Sequence, residues 1–327
     1  MLAPHTGRWA LALVVLAGGA ARASAQPVFE AAGERALGMA GAFVAVADDA
    51  TAVHWNPAGL VAGQPAGMTI GWHQFQVGNQ DAAPVAGSRR GRSTLTSLGT
   101  WPLGVSYGTT RRVRIAAGAG GQLTGESLRV GYVGVTVLQT LLEGLVIGST
   151  LKVVRGAAAA GPVDEPTAAG ALDRIADLEG DTRTTFDLDV GLMASAPRVR
   201  LGLTVKNLRS PEFRAIAGNA IALPRQARAG LAVLPTDGLT LAIDLDLNAV
   251  DLMGDLRRIL AAGGELAVGS RVQVRSGVRW NLANDRRATG AVGVSLSVRR
   301  GFWLDGHYGL GRADESREFG VALRAGF

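Results

Sequence analysis

The sequence predicts an all-β protein: a transmembrane antiparallel β-barrel of about 14 strands, with an N-terminal hatch inside the lumen. Three observations lead to this prediction. The chain is 47% hydrophobic, yet no run of about 18 uncharged apolar residues offers a transmembrane helix. Apolar and polar residues alternate with a period of two through most of the chain, as in strands that face lipid on one side only. Short and long connections also alternate, which is typical of outer-membrane barrels.

Residues 1–25 have the features of a cleavable signal peptide. Arg8 gives a positive start, Trp9–Ala17 form an apolar run, and Ala23-Ser24-Ala25 satisfies the small-x-small rule for cleavage. The apolar run is too short to cross a bilayer as a helix, which needs about 20 residues. We therefore expect an exported mature chain that begins at Gln26.

Composition excludes several classes of protein. The chain has no cysteine, so disulfides, thiolate catalysis, cysteine-bound zinc and lipoprotein anchoring are ruled out. The net charge is +6, but the basic residues are scattered along strands and turns. Nucleic-acid-binding proteins concentrate such charge on one face or tail, so we expect no nucleic-acid partner. Basic groups in a lumen, or at the rim next to anionic lipid, fit the pattern better.

Residues 66–327 form the predicted barrel. The predicted strands are 67–78, 95–108, 112–121, 128–138, 144–155, 183–195, 198–208, 225–234, 238–249, 259–269, 272–281, 288–298, 301–310 and 317–327. Their even-numbered connections hold two to five residues, and their odd-numbered connections hold six to 27. In outer-membrane barrels the short turns face the periplasm and the long loops face outside.

Two strands show which side chains should face the lumen. In Leu239–Asn248 the leucines and Ile243 share one face, and Asp244 and Asp246 lie on the other. In Arg271–Leu282 the valines and Trp280 share one face, opposite Arg275 and Arg279. Such alternation also occurs in soluble sandwiches, where the polar face meets solvent. The leader, the strand lengths and the last strand favour a barrel with a polar lumen.

The hairpin at Ala196-Pro197 predicts further lumen charges. If Ala194 lies opposite Val199, then Asp187 lies opposite Lys206, and Asp189 falls on the same polar face. Opposite charges across a pair of strands stabilise it by a fraction of a kcal/mol. A structural role for these charges is therefore favoured over substrate binding.

The last predicted strand, Arg317–Phe327, ends in an aromatic residue. Phe319, Val321, Leu323 and Phe327 fall on its lipid-facing side. A terminal aromatic in this phase resembles the signal that the barrel assembly machinery reads, which makes Phe327 a candidate assembly signal.

Residues 26–65 do not alternate and form the predicted hatch. Alanine and glycine dominate this segment, and small residues allow close packing in a confined space. Asp48 and Asp49 precede Ala50–Trp55 and can cap a short helix there. Asn56-Pro57 signals a turn, because proline excludes its predecessor from the helical region.

The hatch sequence resembles the outer-membrane transporters of long-chain fatty acids and hydrocarbons (FadL type), together with the related PorV and PorQ barrels of type IX secretion. The resemblance is specific over Gly33–Leu60 and weaker at Leu223-Pro224-Arg225 and Gly277–Trp280. The candidate hatch motif consists of Asp48, Asp49, Trp55, Asn56, Pro57, Ala58, Gly59 and Leu60.

The resemblance implies a function. It implies a bacterial outer-membrane channel that takes up hydrophobic small molecules passively and is gated by its hatch, with a hydrophobic ligand, outer-membrane lipid and the barrel assembly machinery as partners. The chain is shorter than classical fatty-acid transporters, and 156–182 is its one long loop. This points toward the alternative, a PorV/PorQ-like scaffold or shuttle for export of surface proteins, with secretion-system partners. Within that loop, Ala168–Leu178 can form an amphipathic helix that covers a ligand groove, binds a partner or only packs; the last interpretation is favoured.

Other chemistry finds little support in the sequence. Gly104–Gly108 fits the esterase pattern G-x-S-x-G, but the strand-to-helix turn that this motif needs is missing. Asp244-x-Asp246-x-Asn248 starts like a calcium loop, yet Ala249 occupies the position that requires glycine. The histidines of the mature chain lack metal-ligand spacing. We therefore expect no enzyme activity, no metal and no cofactor.

Overall fold

In a computed structural model, the chain forms a closed barrel of fourteen antiparallel strands. The structure describes residues 29–118, 121–214, 220–253, 255–283, 288–311 and 315–327. The predicted signal peptide, residues 1–25, lies outside the described residues. The first and last strands close the barrel, with pairing from Gly67 and Gly326 to Gln76 and Arg317.

The strands of the described residues are numbered in chain order. The barrel consists of β1 (Ala66–Val77), β2 (Arg89–Thr100), β3 (Leu103–Ala117), β4 (Leu123–Leu142), β5 (Leu145–Pro162), β6 (Thr182–Ala196), β7 (Val199–Lys206), β10 (Gln226–Thr236), β11 (Leu239–Asp246), β14 (Ile259–Val268), β15 (Val272–Asn281), β16 (Ala288–Arg299), β17 (Phe302–Gly311) and β18 (Ser316–Gly326). Two hairpins in long connections pair β8 (Glu212–Arg214) with β9 (Ala220–Ala222), and β12 (Val250–Leu252) with β13 (Asp255–Arg257).

The helices are short. They are α1 (Glu34–Gly38), α2 (Ala52–Trp55) and α3 (Ala168–Asp177), with 3₁₀ turns at Phe29–Ala31 and Pro57–Ala62. Among the described residues, no helix combines the length and apolar character needed to span a membrane.

The alternation of short and long connections is confirmed, although one turn was placed wrongly. One end of the barrel carries connections of two or three residues, and the other carries connections of four to nineteen. The predicted strand 95–108 and its turn at 109–111 are wrong, because the chain turns at Trp101-Pro102 and β3 continues through 109–111. Pro102 has no N–H for a ladder. The polar run Thr109–Arg112 looks like a turn in sequence but pairs with β4 in the structure.

The register predicted for the β6–β7 hairpin is also wrong, by two residues. Ala196 pairs with Val199, so Ala194 lies opposite Leu201 and Asp187 does not face Lys206. The turn consists of Pro197 and Arg198, one residue later than expected. Moving a turn by one residue shifts every pair by two, which keeps each side chain on its face and changes its partner.

The two faces of the wall match the predicted alternation. Leu241 and Ile243 are 48% and 45% exposed on the outside, whereas Asp244 and Asp246 are buried in the lumen. The same outward face in β18 carries Phe319, Val321 and Leu323. The outer wall is therefore an apolar surface of the kind that lipid covers.

Phe327 follows β18 and faces outward. Its backbone exchanges hydrogen bonds with Ala66, and its ring contacts Phe302 at 5.6 Å between centroids. Phe327 therefore lies on the lipid-facing side, as predicted. Its role as an assembly signal stays a prediction.

Helix α3 confirms the amphipathic helix expected in the long loop and packs on the outside of the barrel. Val113 and Ile115 of β3 share the outward face with Tyr107, but they are buried because Leu172 and Ile175 of α3 cover them. A patch of outer wall near the long connections is thus shielded by the chain itself.

A charge on the outer wall tests whether lipid covers it. Val294 lies at the centre of β16, and Val298 lies on the same outward face near a short turn. We expect Val294→Arg to lower the free energy of unfolding in phospholipid vesicles by about 2–4 kcal/mol and Val298→Arg by about 0–1 kcal/mol, because the cost of a charge depends on depth in the bilayer. Equilibrium unfolding in denaturant measures both. Equal costs at the two sites would contradict a membrane-spanning wall.

Candidate functional site

Residues 29–65, here called the internal segment, fill the lumen. Phe29, Leu37, Phe43 and Trp55 are fully buried. Helix α1 contacts β15, β16 and β17 on one side of the barrel, and the 3₁₀ turn Pro57–Ala62 contacts β4, β5 and β6 on the other. The segment therefore crosses the lumen and is held from opposite walls.

Trp55 organises the centre of the internal segment. Its ring packs against Phe29 and Phe43, with centroids 5.6 and 5.8 Å away. Its indole Nε1 donates a hydrogen bond to the Ala32 carbonyl at 3.0 Å. A buried indole needs such an acceptor, so this hydrogen bond fixes the side chain within the apolar cluster.

Asn56 joins the internal segment to itself and to the wall. Its Nδ2 donates to the Val44 carbonyl at 2.9 Å and to the Leu192 carbonyl of β6 at 3.1 Å, and its Oδ1 accepts from the Ala58 N–H. The wall leaves room for it at Gly191, where an added Cβ would lie 2.1 Å from Asn56 Oδ1. The Asn-Pro dipeptide thus ends α2 and anchors the segment at the same point.

Gly59 and Leu60 complete the candidate motif. A Cβ at Gly59 would lie 2.0 Å from the Ala47 carbonyl oxygen, so only glycine permits this approach between two parts of the segment. Leu60 lies against Gly99 and Gly104 of the wall. Pro57 and Ala58 lie against Gly148 of β5 in the same way.

Arg35 of α1 carries the main charged contact between segment and wall. Its guanidinium binds both oxygens of Glu265 on β14 at 2.7 Å, and it also contacts Asp48 at 2.5 Å and Asp49 at 3.1 Å. Arg200 of β7 contacts Asp48 as well, at 3.2 Å. The predicted helix-capping role is wrong: Thr51 is the N-cap of α2, Asp49 accepts from the N–H of that residue, and Asp48 pairs with arginines.

Two further charged residues of the wall, Asp244 and Arg228, contact the internal segment. Asp244 binds its backbone, and Arg228 binds Glu30 near its start. Asp244 accepts hydrogen bonds from the N–H groups of Phe43 and Val44, both at 2.8 Å. Arg228 of β10 bridges Glu30 of the segment and Asp246 of β11, each at 2.7 Å. Both predicted aspartates therefore face the lumen and contribute to holding the segment.

The remaining predicted lumen charges form separate pairs. Asp187 and Asp189 both bind Lys152 of β5, at 2.9 and 2.7 Å, in place of the expected pairing of Asp187 with Lys206. Lys206 lies 3.1 Å from the imidazole nitrogens of His54.

Arg275 and Arg279 both lie on the lumen face of β15, four residues apart. Arg275 Nε donates to Glu265 at 2.5 Å and therefore shares that carboxylate with Arg35. Arg279 forms a two-point pair with Glu318 of β18, at 2.9 and 2.6 Å.

The pKa values of two buried acidic groups in the internal segment are shifted in opposite directions. Burial raises the pKa of Glu34 to about 8, and the charges of Asp305 and Asp49 add to this shift. Burial also acts to raise the pKa of Glu30, but the charges of Arg228 and neighbouring arginines outweigh it and lower that pKa to about 2. Glu34 is therefore neutral at pH 7 and Glu30 is ionised.

The cavities beside the internal segment are small and have both polar and apolar linings. One of about 320 Å³ opens near Asp48 and Gln64, and one of about 20 Å³ lies between Val53, His54 and Lys206. No group of three or more metal-ligating side chains lies together within the described residues.

An apolar cluster lines the lumen on the side of the long connections. It is here called the lumen cluster and consists of Leu128, Val130, Val154, Ala158, Phe213, Ile221, Leu223 and Met253. Phe213 and Ile221 belong to the β8–β9 hairpin, which folds inward against β4 and β5. The cavity of about 20 Å³ joins this cluster to Val53 of the internal segment, because Val130, Val154 and Leu223 also border it.

Comparisons place this architecture among known folds. The structure is similar to a CymD monoaromatic hydrocarbon channel, with a TM-score of 0.63 and 15% identity over 90% of this chain and 97% of that chain. It is similar to the toluene transporter TodX of Pseudomonas putida, with a TM-score of 0.61 and 11% identity over 92% and 99%. A FadL homologue of Pseudomonas aeruginosa gives a TM-score of 0.57 and 10% identity over 93% and 98%. The chain has the fold of FadL-type hydrocarbon channels.

Sequence comparisons give less information about the fold than the structural ones. A family model described as "F plasmid transfer operon, TraF, protein" matches residues 128–246, which is less than half of the chain. No curated protein sequence matches the chain.

Several residues of the site were not singled out from the sequence. Arg228, Glu265 and Lys152 lie on lumen-facing positions of alternating strands, so alternation was a signal that could have identified them. Arg35 and Glu30 lie in the segment without periodicity, where no local pattern distinguishes a buried charge from an exposed one.

Removing the charge of Arg35 should loosen the internal segment. Arg35→Met leaves Asp48, Asp49 and Glu265 without their shared cation, and loss of one partner of a buried pair costs about 3–5 kcal/mol. We expect a lower free energy of unfolding and a higher conductance in planar bilayers. Arg174→Met is the control, because Arg174 pairs with Glu165 at an exposed site where the cost is about 0–1 kcal/mol. Unchanged conductance in Arg35→Met would show that the segment is held by other contacts.

Glu34 gives a pH dependence with a defined sign. Its pKa is about 8 in the folded protein and 4.5 in the reference state, so folding binds a proton between these values and its contribution to stability falls as pH rises from 4.5 to 8. Glu34→Gln lacks this titration. We expect its free energy of unfolding to rise relative to the wild type across this window, by at most about 1.4 kcal/mol per pH unit. Unfolding at pH 5 and pH 8 measures it, with exposed Glu143→Gln as control; a constant difference contradicts the assignment.

Proposed function

We propose that the protein is a bacterial outer-membrane channel for passive uptake of hydrophobic small molecules, long-chain fatty acids or hydrocarbons, with residues 26–65 as its hatch. The observation that carries this proposal is the lumen cluster. A channel for polar solutes has no need of buried apolar side chains inside its lumen. Here they line the side of the long connections and lead to the internal segment.

Phe213 marks the position that we assign to the ligand. It is fully buried and lies against the wall at Gly156, where an added Cβ would approach its ring to 2.6 Å. The ring comes from a loop hairpin and not from the wall itself. An apolar molecule can therefore take its place when the hairpin moves, and it gains the same burial of apolar surface.

Movement of the internal segment is the second requirement. The cavity of about 20 Å³ between the lumen cluster and the segment is smaller than any of the proposed ligands. Passage therefore needs the segment to shift, and the contacts of Arg35, Asn56 and Asp244 set the cost of that shift. This supports a gate and not an open pore.

The likeness to hydrocarbon channels supports uptake over an export scaffold. CymD and TodX are covered over 97% and 99% of their lengths, so chain length does not separate this protein from hydrocarbon channels. The short chain is therefore not an argument for a PorV/PorQ-like barrel.

Replacement of Phe213 tests the ligand position. We expect Phe213→Ala to raise the uptake of radiolabelled toluene or palmitate into protein-containing vesicles several-fold, because the ligand no longer displaces the ring. Phe186→Ala is the matched control, since Phe186 is 54% exposed on the outer wall. If the wild type shows saturable binding of neither toluene nor palmitate, the proposed function is wrong.

A disulfide tether tests the gate directly. The chain has no cysteine, so an introduced pair would hold the only thiols. A Cβ at Gly67 of β1 lies 3.9 Å from the Ala50 Cβ of the internal segment, which suits a disulfide. In Ala50→Cys/Gly67→Cys we expect uptake to stop on oxidation and to return on reduction, while each single variant is unaffected. Undiminished uptake by the oxidised form would exclude hatch gating.

A further inference from the structure

A row of arginines crosses the outer wall near the long connections. Arg92 of β2 pairs with Arg111 of β3, and Arg111 pairs with Arg129 of β4. Arg155 of β5 pairs with Gly131, two residues from Arg129. Four guanidinium groups from four adjacent strands therefore lie close together.

The row faces away from the lumen. Arg111 shares its side of β3 with Tyr107, which is 53% exposed, and Arg129 shares its side of β4 with Val133, which is 50% exposed. Leu151 marks the same outward face of β5 for Arg155. These four arginines therefore belong to the outer surface of the barrel and take no part in holding the internal segment.

The protein itself supplies little compensating charge. Directly opposed like charges destabilise a pair of strands. Arg111 contacts Asp177 of α3 at 3.3 Å, but that carboxylate is 84% exposed, and Arg129 donates to the Ala176 carbonyl at 2.6 Å. Within the part of the chain that the structure describes, the guanidinium groups of Arg92 and Arg155 have no hydrogen-bond or ion-pair partner.

The row borders a groove of about 870 Å³ on the outer wall. The groove runs beneath the connection that leaves α3, where Leu178 and Glu179 form part of its edge. Glu179 and Asp177 bring two carboxylates to the four guanidinium groups, so the site keeps an excess of positive charge. Toward the short turns, the same outward face becomes apolar at Tyr107 and Val133.

We propose that this groove binds the phosphate of an anionic lipid headgroup in the leaflet next to the long connections. Guanidinium groups bind phosphate oxygens through paired N–H donors and remain charged at every physiological pH. The apolar wall beside them accepts acyl chains, which a free phosphate ion does not possess. The inference requires the barrel to lie in a membrane, and it does not depend on what the lumen transports.

Lipid retention by the purified protein tests the proposal. The protein is refolded in phosphatidylcholine vesicles with and without phosphatidic acid, and native mass spectrometry counts the lipids that stay bound. We expect the wild type to retain phosphatidic acid in preference to phosphatidylcholine, and R92Q/R155Q to weaken that retention about tenfold, as loss of charged hydrogen bonds would. R299Q/R300Q is the matched control, because it removes the same charge at exposed positions beside a short turn.

Two further measurements keep the outcome decisive. R92K/R155K keeps the charge but lacks the paired donors. We therefore expect it to retain an amount of phosphatidic acid between that of the wild type and that of R92Q/R155Q. The lysine variant also controls for folding. Inorganic phosphate should compete only weakly with the lipid. Equal retention of the two lipids by the wild type, equal loss in R299Q/R300Q, or inorganic phosphate binding as tightly as phosphatidic acid would each overturn the proposal.

Discussion

The contact of Arg35 with Asp48, Asp49 and Glu265 is the interaction on which the arrangement of the lumen depends. An apolar outer wall forces the polar side chains of alternating strands inward, where they lose water and must find partners. The internal segment supplies some of those partners and takes others from the wall. Its position is therefore set by the pairing of buried charges as much as by the packing of Trp55 and its neighbours.

Pairing of this kind explains why the lumen is both charged and closed. Arg228 and Asp244 bind the segment at two further places, so its release would leave several buried groups without partners at once. Such groups are costly to leave unpaired. Apolar side chains within the lumen form two clusters, one around Trp55 of the internal segment and one where a loop hairpin, with Phe213, covers β4 and β5.

Alternation, together with the leader, the strand lengths and the last strand, was enough to predict the barrel, its strand number and the lumen side of those strands whose faces were assigned. It failed at Trp101-Pro102, because a run of threonines and arginines at 109–112 has the composition of a turn and yet pairs on both sides. It also failed for the partner of Lys206, since a period of two fixes the face of a residue but not the register. The contact of Arg35 with Glu265 joins residues 230 positions apart, which no local pattern encodes.

The seam between β1 and β18 has a consequence for biogenesis. Strand β1 follows the internal segment almost directly, and its first residue, Ala66, exchanges hydrogen bonds with Phe327. Until these two edges meet, the cylinder is open along one side and the segment can enter laterally. Once β1 and β18 have paired, the segment has to enter through an end of the barrel. The order of insertion and closure therefore decides whether the lumen is filled.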